Sequence, residues 1–117
     1  MIKIYDLIAH QEWDDIVRSF ADYDVYYLSG YVRAFYAHGD GEPQLLYYTS
    51  DQLRAIYVYM KRHTTITNVY DSVTPYGYGG VLFEGDKSDQ SLSDFWKEYV
   101  QKMNNENIID NFVRYHP

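Results

Sequence analysis

The 117-residue chain contains no cysteine, which excludes disulfide bridges, thiolate zinc sites and cysteine nucleophiles. That absence fits a reducing compartment. Cations are also few: ten Lys and Arg stand against 17 Asp and Glu, a formal charge of -7. Without an overall positive field the chain has little with which to neutralise phosphates, so DNA is not an expected partner. Arg54, Lys61 and Arg62 are the candidates for a local basic patch, and nearby Asp51 supports the alternative of a solvated strand end. No apolar run approaches bilayer length, and the opening MIKIYDLIAHQEW lacks the basic start and long apolar segment of a signal peptide. A cytoplasmic protein with no transmembrane segment is therefore expected.

Other absences narrow the chemistry. The chain has three Pro and seven Gly, with no Pro/Ser-rich linker and no internal repeat, so one domain is expected across residues 1–117. Its glycines follow neither the dinucleotide fingerprint nor the Walker pattern, which argues against nucleotide hydrolysis. Four histidines, His10, His38, His63 and His116, lack the spacing of a zinc helix motif, and no metal is expected. Ser72, Thr74 and Ser91 have no visible base partner, so a serine-hydrolase triad is not supported.

What the chain has in excess is tyrosine, 15 residues against 5 Phe and 2 Trp. A large apolar ring with a polar tip suits half-wet clefts and interfaces. It equally suits pleated strands.

Hydrophobic spacing supplies the elements. Ile2, Ile4 and Leu7 suggest a short opening strand. A helix over 10–20 follows, with Trp13, Ile16, Val17 and Phe20 on its core face. Ser29 and Gly30 start a second helix over 29–37, near which Tyr27, Tyr31 and Phe35 share a side. The segment HGDGEP, 38–43, is a turn. Runs 44–49 and 53–62, separated by Ser50, Asp51 and Gln52, read as a hairpin, with a third strand at 66–71 and a short resumption at 81–83. Ser91 and Asp94 resemble a capping box before a helix over 92–103, whose core face would hold Phe95, Trp96, Tyr99, Val100 and Met103. NNEN at 104–107 stops it, and 108–115 is the last strand. The order β-α-α-β-β-β-α-β predicts an α+β fold, a mixed and largely antiparallel sheet flanked by helices. The final strand ends abruptly at RYHP, as in a domain truncated at its C-terminus.

The densest chemical signal is DSVTPYGYGG, residues 71–80, which joins a carboxylate, two tyrosines and three glycines on a loop leaving a strand. Glycine permits positive φ and close approach of a ligand to backbone. The competing reading is a β-bulge with aromatic packing. Asp71 is the best candidate for a general base or for positioning an amine, its pKa raised by partial burial, with backbone capping as its alternative role. At the last strand, Arg114 suits a carboxylate or phosphate, or an acidic neighbour, and His116 sits beside it.

Four segments together, DVYYLSGYVRAF, VYDSVTPYGYGG, FWKEY and NFVRYHP, resemble the Fem-type branch of the GNAT acyltransferase superfamily across nearly the whole chain. That branch includes aminoacyltransferases of peptidoglycan bridge synthesis and relatives acting on polysaccharide precursors. The resemblance implies a GNAT-like half domain on the acceptor side, with a V-shaped opening between central strands where acyl donor and acceptor amine meet. Donor binding falls to a half domain that would follow the last strand, so this chain binds no cofactor tightly. Acyl-CoA or aminoacyl-tRNA would be the donor of the complete enzyme, and an amine-bearing small molecule, glycan or peptide precursor the acceptor. Tyr27, Tyr31, Tyr76, Gly77, Tyr78, Gly79, Gly80, Arg114 and His116 would line the substrate side, and Asp71 would orient or deprotonate the amine. The alternative from a different class is a non-catalytic module that dimerises, or pairs with a second half domain, through its terminal strand. A nucleic-acid module using stacked tyrosines is weighed against by the -7 charge.

Overall fold

A computed structural model of the chain describes residues 1–37, 41–73 and 80–112. Alternation places Ile2 and Ile4 on one face of the first strand, β1 (Ile2–Tyr5). Asp6 ends it by accepting hydrogen bonds from the Ile8 and Ala9 N–H groups, which turns the chain through Leu7–Ala9 into helix α1 (His10–Arg18). Trp13 and Val17 are fully buried, and Phe20 just beyond the helix joins them, as their spacing predicts, while Ile16 is half-buried. Asp14 receives both the Ser29 N–H and the Ser29 hydroxyl, at 2.8 and 2.7 Å, and so ties α1 to the start of helix α2 (Ser29–Ala37).

Strands β2 (Glu42–Thr49) and β3 (Leu53–His63) form the expected hairpin, in which the Ser50 hydroxyl bonds the Leu53 backbone across the turn. The next strand lies later than the apolar run suggests. Residues 64–69 are a turn, with the Thr64 hydroxyl donating to the Val69 carbonyl at 2.8 Å and Asn68 at φ 62°, so β4 is Tyr70–Val73 and Ile66 is exposed. β5 (Val81–Gly85) is a separate sixth strand that pairs with β3, one more than the predicted order contains.

Helix α3 (Asp89–Asn105) starts earlier than predicted. Its N-cap is Ser88, whose side chain accepts from the Ser91 N–H; Ser91 itself lies inside the helix, so the Ser91–Asp94 capping box does not form. Phe95, Tyr99 and Met103 repeat every four residues and are buried. Trp96 and Val100 sit about 100° further round the helix and are 40% and 55% exposed, a correction to the expected core face. Trp96 still meets Phe83 and Tyr99 edge-on. The last strand, β6, is described over Ile108–Phe112.

The described strands make one α+β sheet in the order β1-β2-β3-β4-β6, with β5 also on β3. Every pairing is antiparallel except β4 with β6, so the sheet is mixed and largely antiparallel. β3 is buried on both sides, and alternation sorts its side chains. Leu53, Ala55, Tyr57 and Tyr59 pack with Phe95, Tyr99 and Met103 of α3, whereas Ile56 and Val58 pack with Trp13, Val17, Phe20, Tyr27 and Val32. Three layers result, and each fully buried large side chain contributes about 1.5–3 kcal/mol. Much of the tyrosine excess belongs to this packing: Tyr48, Tyr57, Tyr59 and Tyr99 are buried, and Tyr57 stacks on Tyr59 with ring centres 5.2 Å apart. Among the described residues no helix is long and apolar enough to cross a membrane.

Candidate functional site

The sheet changes partners at one place. Along its outer edge β3 pairs with β5 from Leu53 to Tyr57 and with β4 from Met60 to His63. Seven residues, 74–80, therefore connect Val73 to Val81 while β3 advances by only two, Val58 and Tyr59. An ordinary bulge inserts one residue, so this excursion is larger than the bulge weighed against it. Among the described residues β6 pairs in parallel with β4, from Tyr70 with Ile108 to Val73 with Phe112. Its register also shifts between Tyr70 and Ser72, so a bulge lies opposite Asp71.

Gly80 closes the excursion. It is buried and adopts φ 110°, the left-handed region that a side chain would strain. The Tyr27 hydroxyl donates to its carbonyl at 3.3 Å. Tyr27 is positioned from the other direction by Trp13, whose indole Nε1–H donates to the Tyr27 carbonyl at 2.7 Å. A continuous strut thus runs from α1 through Tyr27 to the glycine segment. Burial, with the Asp24 charge second, pushes the Tyr27 phenol up to about 12, so it keeps its proton and acts as a donor. Tyr31 is half-buried on the same side of the sheet, its ring edge-on to Tyr26 at 5.0 Å.

Asp71 lies on β4 opposite Arg62 of β3, and the two make a bidentate pair, Nε to Oδ1 and Nη2 to Oδ2, both 2.8 Å. Hydrogen bonding to Arg62 holds the Asp71 carboxyl below its ordinary value, more than offsetting the partial burial that raises it. The expectation of a raised pKa is therefore corrected: Asp71 is a stable anion at neutral pH and a weak base. Among the described residues it accepts no backbone N–H either. With Gly41 and His63 the pair borders an open cleft of about 410 Å³.

Thus Tyr27 and Gly80 are brought into contact, and Asp71 sits at the opposite end of the same strand interruption, with no hydrogen bond between the two pairs. Thr74, Tyr76, Gly77, Tyr78, Gly79, Arg114 and His116, along with His38, lie outside the described residues. Trp13 and Arg62 are the supporting residues that sequence reasoning did not place here. Arg62 stood out only as part of a basic run, and the signal that would have found its role is the hairpin register that sets it across from Asp71.

The suggested basic patch is occupied by local partners. Arg54 pairs with Glu84, donates to the Ser19 hydroxyl at 2.8 Å, and lies 4.1 Å from the centre of the Phe20 ring. Lys61 Nζ sits 4.3 Å over the Tyr70 ring. Among the described residues no group of three His, Cys, Asp or Glu side chains could hold a metal ion. Set against known proteins, the chain matches no protein-family model, no curated protein and no solved structure.

Proposed function

We propose that this chain is the acceptor-side part of an acyl- or aminoacyltransferase of the GNAT type, related to the Fem branch. One observation carries the reading. β4 and β6 are neighbouring parallel strands joined through β5 and α3, and the glycine segment follows β4 in the sequence. A neighbouring parallel pair with DSVTPYGYGG beginning on β4 supports the V-shaped opening that the resemblance implies. In this reading the acceptor amine attacks the carbonyl carbon of a thioester or aminoacyl ester. The acceptor ammonium first gives one proton to solvent; as the free amine forms the C–N bond the C–S or C–O bond breaks, and a second N–H proton passes to the departing thiolate or ribose alkoxide, which leaves as thiol or hydroxyl. Positioning supplies much of the rate. Asp71, kept anionic by Arg62, orients the ammonium form of the acceptor rather than deprotonating it, and the Tyr27 strut holds the Gly80 backbone in place. Acyl-CoA or aminoacyl-tRNA would be bound by a further half domain or second chain, and the acceptor would be a cell-wall or polysaccharide precursor.

Amide NMR on the chain tests this. Glucosamine, as an amine-bearing sugar, should shift Asp71, Ser72 and Gly80 saturably, and Asp71→Asn should weaken that binding by about tenfold. Unmoved amides at those three positions would remove the reading.

A second reading rests on β6, which ends the described strand order as an edge strand. Exposed edges invite pairing, so a non-catalytic module that dimerises or joins a partner through β6 is the alternative. Sedimentation showing a monomer at about 100 μM, well above the Kd of a stable dimer, would count against it.

A further inference from the structure

A second cleft, of about 290 Å³, lies between the turn after β1, the later half of α2 and the start of β2. That volume is near the lower limit of small-molecule sites, about 300 Å³, and suits one amino-acid-sized ligand. Its walls combine three chemistries. Ile8 and Tyr36 border it and are 91% and 55% exposed, two of the chain's most exposed large apolar side chains. Arg33 on α2 and Glu42 on β2 also line it. Among the described residues neither side chain makes an ion pair or hydrogen bond, whereas those of Arg54 and Arg62 both do. The third charge, Asp6, spends Oδ1 on the Ile8 and Ala9 N–H groups of its own turn.

We infer that this cleft binds a free α-amino acid with an apolar side chain. A simple anion would face two carboxylates for one guanidinium, and a simple cation would leave Arg33 unmatched. A zwitterion answers both: its carboxylate takes the Arg33 fork, its ammonium meets Glu42, and its apolar side chain covers Ile8 and the Tyr36 ring. The site stands independently of the transferase reading, since it shares no residue with Asp71, Tyr27 or Gly80.

The test is an amide NMR titration of the chain with L-phenylalanine, phenylacetate and phenethylamine. L-phenylalanine should shift Ile8, Arg33 and Glu42 saturably with a millimolar Kd, and each half-ligand should bind about tenfold more weakly. Arg33→Gln and Glu42→Gln, both at exposed positions, should each weaken L-phenylalanine by about tenfold while leaving thermal melting unchanged. The inference is overturned by the absence of saturable shifts up to about 10 mM, by half-ligands that bind as well as the zwitterion, or by variants that bind as the parent does.

Discussion

Replacing Asp71 by Asn removes the charge of the Arg62 pair while keeping its size, and so isolates what holds the β3–β4 junction. The pair is bidentate at 2.8 Å, but its side chains are 45% and 25% exposed, so solvent screens much of the attraction. Exposed pairs contribute about 0.2–1 kcal/mol, and the two-point geometry places this one near 1 kcal/mol. At neutral pH Asp71→Asn should therefore lower stability by about 1 kcal/mol, about 4 °C in melting temperature for a domain of this size. The pH dependence has a definite sign. The folded carboxyl titrates below its ordinary value of 3.8, so the stabilisation is present above that value and disappears as pH falls through the folded midpoint. Urea unfolding at about pH 7 should separate parent and variant, and at about pH 2.5 the curves should converge. Carboxyl NMR should show Asp71 titrating below 3.8, and Arg62→Gln should return it toward that value. A difference that persists undiminished at about pH 2.5, or an Asp71 midpoint above 3.8, would refute the reasoning and restore Asp71 as a candidate base.

Four further outcomes are expected in stability measurements. Gly85 has φ 116°, and a Cβ there would lie 2.4 Å from the Gln52 carbonyl oxygen, so Gly85→Ala should cost about 1–3 kcal/mol. Gly30→Ala, where nothing lies within 4 Å of the added carbon, should instead stabilise by about 0.5–1 kcal/mol. Denaturant midpoints of the two variants should move in opposite directions. Ser88→Ala removes the α3 cap and should cost about 1 kcal/mol, read as a lower melting temperature, whereas Ser91→Ala leaves the cap in place and should cost less. Trp13→Phe leaves the buried Tyr27 carbonyl without its indole donor and should cost about 1–3 kcal/mol, with amide shifts spreading from Tyr27 to Gly80.

Particular residues show why some elements were legible and others were not. The 29–37 helix and the hairpin were readable because their signals are local: Ser29 at a helix start, and two apolar runs separated by Ser50, Asp51 and Gln52. The third strand was misplaced because Ile66 is apolar, yet the Thr64 hydroxyl closes a turn around it and leaves it exposed. Trp96 and Val100 look like core residues by composition, but α3 meets only one face of the sheet and its buried stripe is Phe95, Tyr99 and Met103. The cap at Ser88 was hidden because Ser91 offers the same chemistry three residues later, and the extended backbone at Ser88, with Ser91 already inside α3, decides between them.

The candidate site divides along the same line. Asp71 and Gly80 could be singled out from residue type and spacing, because a carboxylate and a glycine free to adopt positive φ have intrinsic properties that survive without knowledge of their neighbours, whereas Tyr27 entered only through the family resemblance. What those residues do to one another depends on register and layer packing, which bring together positions far apart in the chain. The hairpin register sets Arg62 across from Asp71 and turns an expected base into a fixed anion. The packing of α1 against the sheet puts Trp13 behind Tyr27 and the Tyr27 phenol on Gly80, 53 residues away. A pKa and a hydrogen-bond partner belong to an environment, and that environment is made only when the chain folds.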